Sequence, residues 1–157
     1  MKIKKILLLL ITSLLIISCG KDVVTDESLD VNEKGWNVNE KFNISVNITD
    51  TLSSYNFYVN LRNTTDYKYS NFFFFVNTTF PNGKIARDTL ECMLANPEGK
   101  WVGKGHGKIK DNRILFKAHV LFPMKGTYKF AIEHGMRDLN IAGIKNIGLR
   151  IVKNKNK

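Results

Sequence analysis

Cysteine is scarce in this chain: Cys19 and Cys92 are the only two among 157 residues. At most one disulfide can form. That excludes a small domain stapled by several bridges, and a four-cysteine zinc site with it. Three prolines are too few for a proline-rich linker or recognition tract. The longest apolar run, Ile6 to Ile17, is twelve residues, short of the ~20 that a membrane-spanning helix requires. No stretch places apolar residues at helical spacing with caps over three turns, which excludes a helical bundle. The best helical candidate is one short turn within Met136 to Ile144. Acids are a minority as well, 14 Asp and Glu against 24 Lys and Arg.

Signatures of chemistry are equally sparse. The chain has no HExxH, no P-loop and no nucleophile elbow. His106, His119 and His134 stand at spacings that fit no local metal motif. Gly103-Lys104-Gly105-His106-Gly107 looks superficially like a phosphate loop, but it lacks the Lys-Ser/Thr ending and a following helix. It reads as a loop or bulge. Asp88 and Glu91 are three apart, so on a strand they point to opposite faces, poor geometry for an acid/base pair. Cys92 alternates with Leu90 and Leu94 and reads as a small buried hydrophobe. A catalytic thiol would need His and Asn or Asp partners, and nothing local supplies them. The expectation is a protein with no catalytic residues, no cofactor and no metal.

What is present begins at the N-terminus. Lys2, Lys4 and Lys5 precede the apolar run, the layout of a secretory signal. Ile16-Ile17-Ser18-Cys19 then resembles the bacterial lipobox, with an aliphatic residue three before the cysteine and a small one just before it. That resemblance implies diacylglycerol on Cys19 and cleavage before it, so residues 1–18 are a signal peptide that is removed. Each buried acyl CH₂ contributes about 0.8 kcal/mol, and two or more chains anchor stably. The competing reading, a Cys19–Cys92 disulfide, requires Cys19 to survive in the folded domain. With Lys2, Lys4 and Lys5 removed, the formal charge falls from +10 to +7. A basic excess suits anionic partners such as phospholipid headgroups, acidic glycans or acidic proteins. Its scattered distribution in an exported chain argues against nucleic acid.

Residues 19–35 are polar and acidic with little periodicity, and read as a lipidated Cys19 followed by a flexible tether. Residues 36–153 read as one β-domain. Phe42, Ile44, Val46 and Ile48 alternate with polar residues, and so do Tyr55, Phe57, Val59 and Leu61. Such alternation marks half-buried antiparallel strands. Phe72 to Phe75 are apolar on both faces, which suggests a central strand covered on two sides; an exposed aromatic platform is the other reading. Pro81-Asn82-Gly83 and Asn96-Pro97-Glu98-Gly99 are turn signals. Further strands are expected near Ile85 to Leu94, Ile114 to Phe122, Thr127 to Glu133 and Ile147 to Val152. The pattern points to an all-β fold, an antiparallel β-sandwich of seven or eight strands, immunoglobulin- or jelly-roll-like, with a small barrel as the alternative. Residues 154–157 read as a disordered basic tail.

Trp101, among Gly103, Gly105 and Gly107, reads either as a cap on the core or as an open aromatic surface. Trp36 is expected where the tether meets the first strand. Asp50-Thr51-Leu52 and Asp88-Thr89-Leu90 resemble the O-glycosylation pattern of exported Bacteroidetes proteins, making Thr51 and Thr89 candidate sites.

Three stretches together resemble the gliding motility lipoprotein GldH family of Bacteroidetes: "LRNTTDYKYSNFFFFV" (61–76), "DTLECMLANPEGKWVGKGHGKI" (88–109) and "GTYKFAIEHGMRDLNIAGIKNIGLRI" (126–151). Their order and the preceding lipobox fit, and the likeness covers most of the mature chain. It implies an anchored lipoprotein, with no assigned catalytic residues, tied to gliding and the associated type IX secretion machinery. The expected partners are the membrane, through the lipid, and other cell-envelope motility or secretion proteins. The expected location is the outer membrane, with the face left open. The loops Asp66 to Asn71, Gly99 to Gly107 and Met136 to Gly143 are the expected contact surface. Asp66, Tyr67, Tyr69, Trp101, Met136 and Arg137 are its candidate residues. The alternative is a surface glycan-binding lipoprotein that stacks sugars on its tryptophans.

Overall fold

The computed structural model describes residues 22–154. The expected signal peptide and Cys19 lie outside the described residues. Ten strands follow in order: β1 (Val23–Asp30), β2 (Trp36–Asn37), β3 (Phe42–Ile48), β4 (Ser54–Thr64), β5 (Asn71–Thr79), β6 (Ile85–Met93), β7 (Ile109–Leu121), β8 (Gly126–His134), β9 (Asn140–Ile141) and β10 (Ile144–Lys153). Two four-stranded antiparallel sheets, β1-β10-β4-β7 and β3-β8-β5-β6, make a sandwich, and β2 pairs with β9. The long strands pair in a nested series: β5 with β6, β4 with β7, β3 with β8 and β1 with β10. This is one long hairpin rolled onto itself, the topology of a jelly roll.

Alternation along the strands builds the core. Phe42, Ile44, Val46 and Ile48 of β3 face Phe57, Val59, Leu61 and the β10 residues Ile147, Leu149 and Ile151 through the sandwich, all buried. Fully burying each such side chain stabilises by roughly 1.5–3 kcal/mol. Aromatic rings close the two ends. At one, Tyr55 and Tyr128 each pack edge to face with Phe122, and Phe57 lies tilted beside it; at the other, Trp36 packs edge to face with Phe42 and stacks on Phe72. Lys117 of β7 reaches Asp88 of β6 at 2.6 Å, tying two edge strands across the seam between the sheets.

Because the pairing is nested, the links alternate between the ends. The β3–β4, β5–β6 and β7–β8 links share the end where the chain enters at Val23 and leaves at Lys153, the near end. The β1–β3, β4–β5, β6–β7 and β8–β10 links share the opposite, far end. β4 alone, at eleven residues, separates the ends by roughly 35 Å.

Four expectations change. Residues 23–30 are no tether: they form β1, an edge strand registered along β10 from Val23↔Val152 to Asp30↔Asn146. Polar groups hold it where apolar ones are few. Asp26 pairs with Arg150 and accepts a bond from Asn60 at 3.0 Å, and Asp30 accepts one from Asn146. Gly20, Lys21 and Asp22 are all that separate Cys19 from this strand. Second, the expected helical turn within Met136 to Ile144 is instead an irregular link carrying β9. Third, Phe72 to Phe75 are covered fully on one face only. Phe72 and Phe74 are buried, while Phe73 and Phe75 are half-exposed, the latter under the Arg87 guanidinium at 4.0 Å. Fourth, Asn154 is tied to Ser54 and Asn56; the rest of the expected basic tail lies outside the described residues.

Candidate functional site

The loop at 65–70 sits at the middle of the far end and touches both of its neighbours. Tyr69 donates its hydroxyl proton to Asp138 Oδ2 at 2.7 Å, and Lys68 Nζ lies 2.8 Å from the same oxygen. These bonds join the β4–β5 loop to the β8–β10 link. Thr64 N–H donates to the Gly143 carbonyl at 2.7 Å, and a Cβ on Gly143 (φ +85) would meet the Tyr67 backbone at 2.8 Å. Only glycine permits that approach. On the other side, the Leu94 and Ala95 amides donate to the Ser70 carbonyl at 2.7 and 2.9 Å, and Thr65 N–H donates to Lys108 O at 2.8 Å. The β4–β5 loop therefore touches both the β6–β7 and the β8–β10 links, on which the other two expected contact loops lie.

The β6–β7 segment is well fixed. Asn112 Nδ2 donates to the buried Asn63 side chain at 2.8 Å and to the Leu61 carbonyl at 3.2 Å. Gly103 packs on Asn112 so closely that a Cβ would lie 2.6 Å from its Oδ1. Lys104 and Asp111 exchange two backbone bonds, 2.9 and 2.7 Å. The glycine-rich stretch is thus a braced turn, not a phosphate cradle.

The six candidate residues divide by exposure. Asp66 and Arg137 are exposed. Tyr69 and Met136 are half-buried, with Met136 Sδ accepting the Phe73 N–H at 3.2 Å. Trp101 is half-buried, bridged to Ala95 and packed against the core. Tyr67 departs from expectation: it is 4% exposed and its hydroxyl donates to the Asn71 carbonyl at 2.8 Å. It builds the surface without presenting itself, and burial raises its hydroxyl above the ordinary tyrosine range. Trp36 is wholly buried at this end, its Nε1 donating to the Glu40 carbonyl at 3.0 Å. The tether does not meet it.

Lys68, Asp138, Val102 and Leu139 belong to the same surface and were not singled out from sequence. The Asp138 carboxylate holds the Lys68 ammonium well above the usual lysine range, and Lys68 in turn holds Asp138 below the usual carboxylate range. Val102 and Leu139 are 55% and 72% exposed. A hydrophobic residue in an exposed loop, read one at a time, gives no signal of which way it points.

Beside this surface several charged groups are held by polar partners. A broad open groove of about 990 Å³, lined by Asp26, Tyr58, Asn60, Arg62, Val102 and Lys104, runs over the outer face of the first sheet. In it Arg62 binds Asp111 at 2.6 Å, and Arg113 binds Asn60 at 3.0 Å. Among the described residues no group of three His, Cys, Asp or Glu is placed to hold a metal ion. Cys92 is buried, and burial pushes its thiol up to about 12. Thr89 is exposed on β6, and Thr51 is half-buried in the β3–β4 loop.

Comparison with known proteins returns the same family that the sequence motifs suggest. The chain is 34% identical over 158 residues to "Gliding motility lipoprotein GldH homolog" of Christiangramia forsetii, covering 96% of each chain. It is also 34% identical to "Gliding motility lipoprotein GldH" of Flavobacterium johnsoniae, covering 96% of this chain and 98% of that one. Among solved structures, Eiger TNF from S. frugiperda matches at 11% identity with a TM-score of 0.34, over 87% of this chain and 96% of that one. That likeness is too loose to bear on fold or function. The family profile described as GldH lipoprotein matches residues 23–151, nearly all of the described sandwich, and the chain belongs to that family.

Proposed function

We propose that this protein is a non-catalytic component of the gliding motility and type IX secretion apparatus, held in the outer membrane by acyl chains on Cys19 and working through protein–protein contacts at its far end. Residues 1–18 are then a removed signal, Gly20 and Lys21 a minimal link, and residues 22–154 the working domain. The family and the names of both relatives support the motility assignment.

One observation carries the contact role: the chain enters at one end of the jelly roll, and the braced three-loop surface lies at the other. A domain anchored beside Val23 presents Asp66, Val102, Arg137 and Leu139 away from its anchor. Confinement to a membrane raises the local concentration of membrane-bound partners, so modest contacts suffice for assembly. The glycan-binding alternative loses part of its support, because Trp36 is fully buried and Trp101 is half-buried against the core. Of the two O-glycosylation candidates, Thr89 is the accessible one and the one proposed.

The test is a paired substitution of exposed residues, Arg137→Glu with Leu139→Ser, in cells that make only the variant. Spreading on a surface and release of secreted proteins should both fall sharply while the variant's level in the membrane fraction is unchanged. Normal spreading and secretion would overturn the contact role. Globomycin should leave the unprocessed precursor if Cys19 carries the lipid.

A further inference from the structure

The near end of the sandwich has a character of its own. Leu52 is 90% exposed, Ile85 70% and Leu121 60%, among the most exposed large hydrophobics in the described chain. They come from three separate places, the β3–β4 loop, the start of β6 and the end of β7, yet all stand at the end where the chain enters. We infer that this end is a seat on an anionic phospholipid surface, with Leu52, Ile85 and Leu121 set among the headgroups and Lys84 and Lys125 on their phosphates. The inference rests on the reading that Cys19 is acylated.

Covalent reach makes contact with the bilayer unavoidable under that reading. Three peptide steps join Cys19 to Asp22, at most ~11 Å fully extended. The headgroup layer on one side of a bilayer is itself about 5–8 Å thick. A domain entered at Val23 therefore rests on or in that layer, and its near end must suit it.

The charges suit it. Lys84, Lys125 and Lys153 stand on the near-end links and strand ends, and the sequence continues from Asn154 to Lys155 and Lys157. Basic side chains beside an anionic membrane are attracted to it, and the attraction is screened by salt. The acid in the three near-end links, Asp50, is already taken by Lys153 Nζ at 2.6 Å. At the far end Val102, Met93 and Leu139 are exposed too, but that end lies the length of β4 away from the chain's entry at Val23, beyond the reach of a three-residue link to Cys19.

The Leu52 tip is also rigidly built. Asp50 Oδ1 accepts the Leu52 N–H at 2.9 Å and the Ser53 N–H at 3.2 Å, Oδ2 accepts the Ser53 hydroxyl at 2.8 Å, and the Tyr55 hydroxyl donates to the Asp50 carbonyl at 2.8 Å. This network fixes the loop and leaves the leucine pointing out. A small apolar cleft of about 130 Å³, lined by Phe80, Leu121, Phe122 and Pro123 among others, continues the apolar surface inward from the same end.

The test uses the full acylated chain reconstituted in vesicles of phosphatidylethanolamine and phosphatidylglycerol. An environment-sensitive fluorophore is placed at Leu52→Cys or, at the far end, Leu139→Cys. The probe at 52 should shift to the blue and be quenched by lipids carrying a spin label near the headgroup, and the probe at 139 should do neither. A second arm takes the unlipidated Cys19→Ser chain. It should retain weak, salt-sensitive binding to the same vesicles, weakened at least ~10-fold by Leu52→Ser with Ile85→Ser and Leu121→Ser. Mass spectrometry of the N-terminal peptide reports acylation independently. An acylated Cys19 with a silent probe at 52 overturns the seat alone, and an unacylated Cys19 overturns the anchor reading and the seat with it.

Discussion

Tyr69 on the β4–β5 loop and Asp138 on the β8–β10 link are joined by a 2.7 Å hydrogen bond across the far end. The two residues are far apart in sequence, and the bond ties two loops that share no strand pairing. Tyr69→Phe removes the donor and keeps the ring, which lies 5.7 Å from that of Tyr67. Amide exchange over Arg137 to Asn140 should speed up a few-fold, with protection in β4, β5 and β8 unchanged. Uniform protection in the variant would mean that the Lys68–Asp138 pair and the backbone hold the link without the Tyr69 hydroxyl.

At Gly148, β10 runs tightly against β1. A methyl group there would collide with the Glu27 carbonyl and lie 2.6 Å from Ser28 Oγ. Glycine within a strand often marks such a close approach. Gly148→Ala should therefore destabilise the domain by about 1–3 kcal/mol, the usual range for forced overpacking. β1 should loosen first, so limited proteolysis is expected to cut within residues 22–31 before it touches the remaining strands. A variant as stable and as resistant as the wild type would show that β1 can shift without loss.

How much of this was visible in the sequence depends on which partner each residue needs. The strands β3 and β4 were legible because one face of each meets the core, so Phe42 to Ile48 and Tyr55 to Leu61 alternate cleanly. β1 was hidden because its partners are polar. Asp26 and Asp30 look like a solvated linker until Arg150 and Asn146 stand beside them, and that register exists only in the folded sheet. The three far-end loops could be marked as loops by composition, but their meeting at one end follows from the nested pairing of the strands. Tyr67 illustrates the limit: nothing in "TDYKYS" distinguishes the tyrosine turned inward from Tyr69, which faces the neighbouring loop. The near-end hydrophobics escaped notice for the same reason, each being one ordinary residue in its own segment.

His134 offers a prediction in which the sign can be worked through. It is 3% exposed at the end of β8, edge-on to Trp36 with ring centroids 5.6 Å apart, and neither ring nitrogen has a hydrogen-bond partner of good geometry. Burial lowers its pKa from the ordinary 6.5, and the Trp36 backbone opposes this only in part. Between the folded and unfolded values the unfolded chain binds a proton that the folded chain does not. Stability is therefore complete above about pH 6.5 and is lost as pH falls below it, by at most ~1.4 kcal/mol per pH unit. Urea midpoints measured at pH 7.5 and 5.5 should show this drop in the wild type and a smaller one in His134→Leu. The same variant removes two unpartnered buried nitrogens, whose desolvation costs about 1–3 kcal/mol, so at pH 7.5 it should be no less stable than the wild type. If the variant kept the full pH dependence, the titration would belong to other groups; if it were much less stable at pH 7.5, the imidazole would be held by an interaction stronger than its packing on Trp36.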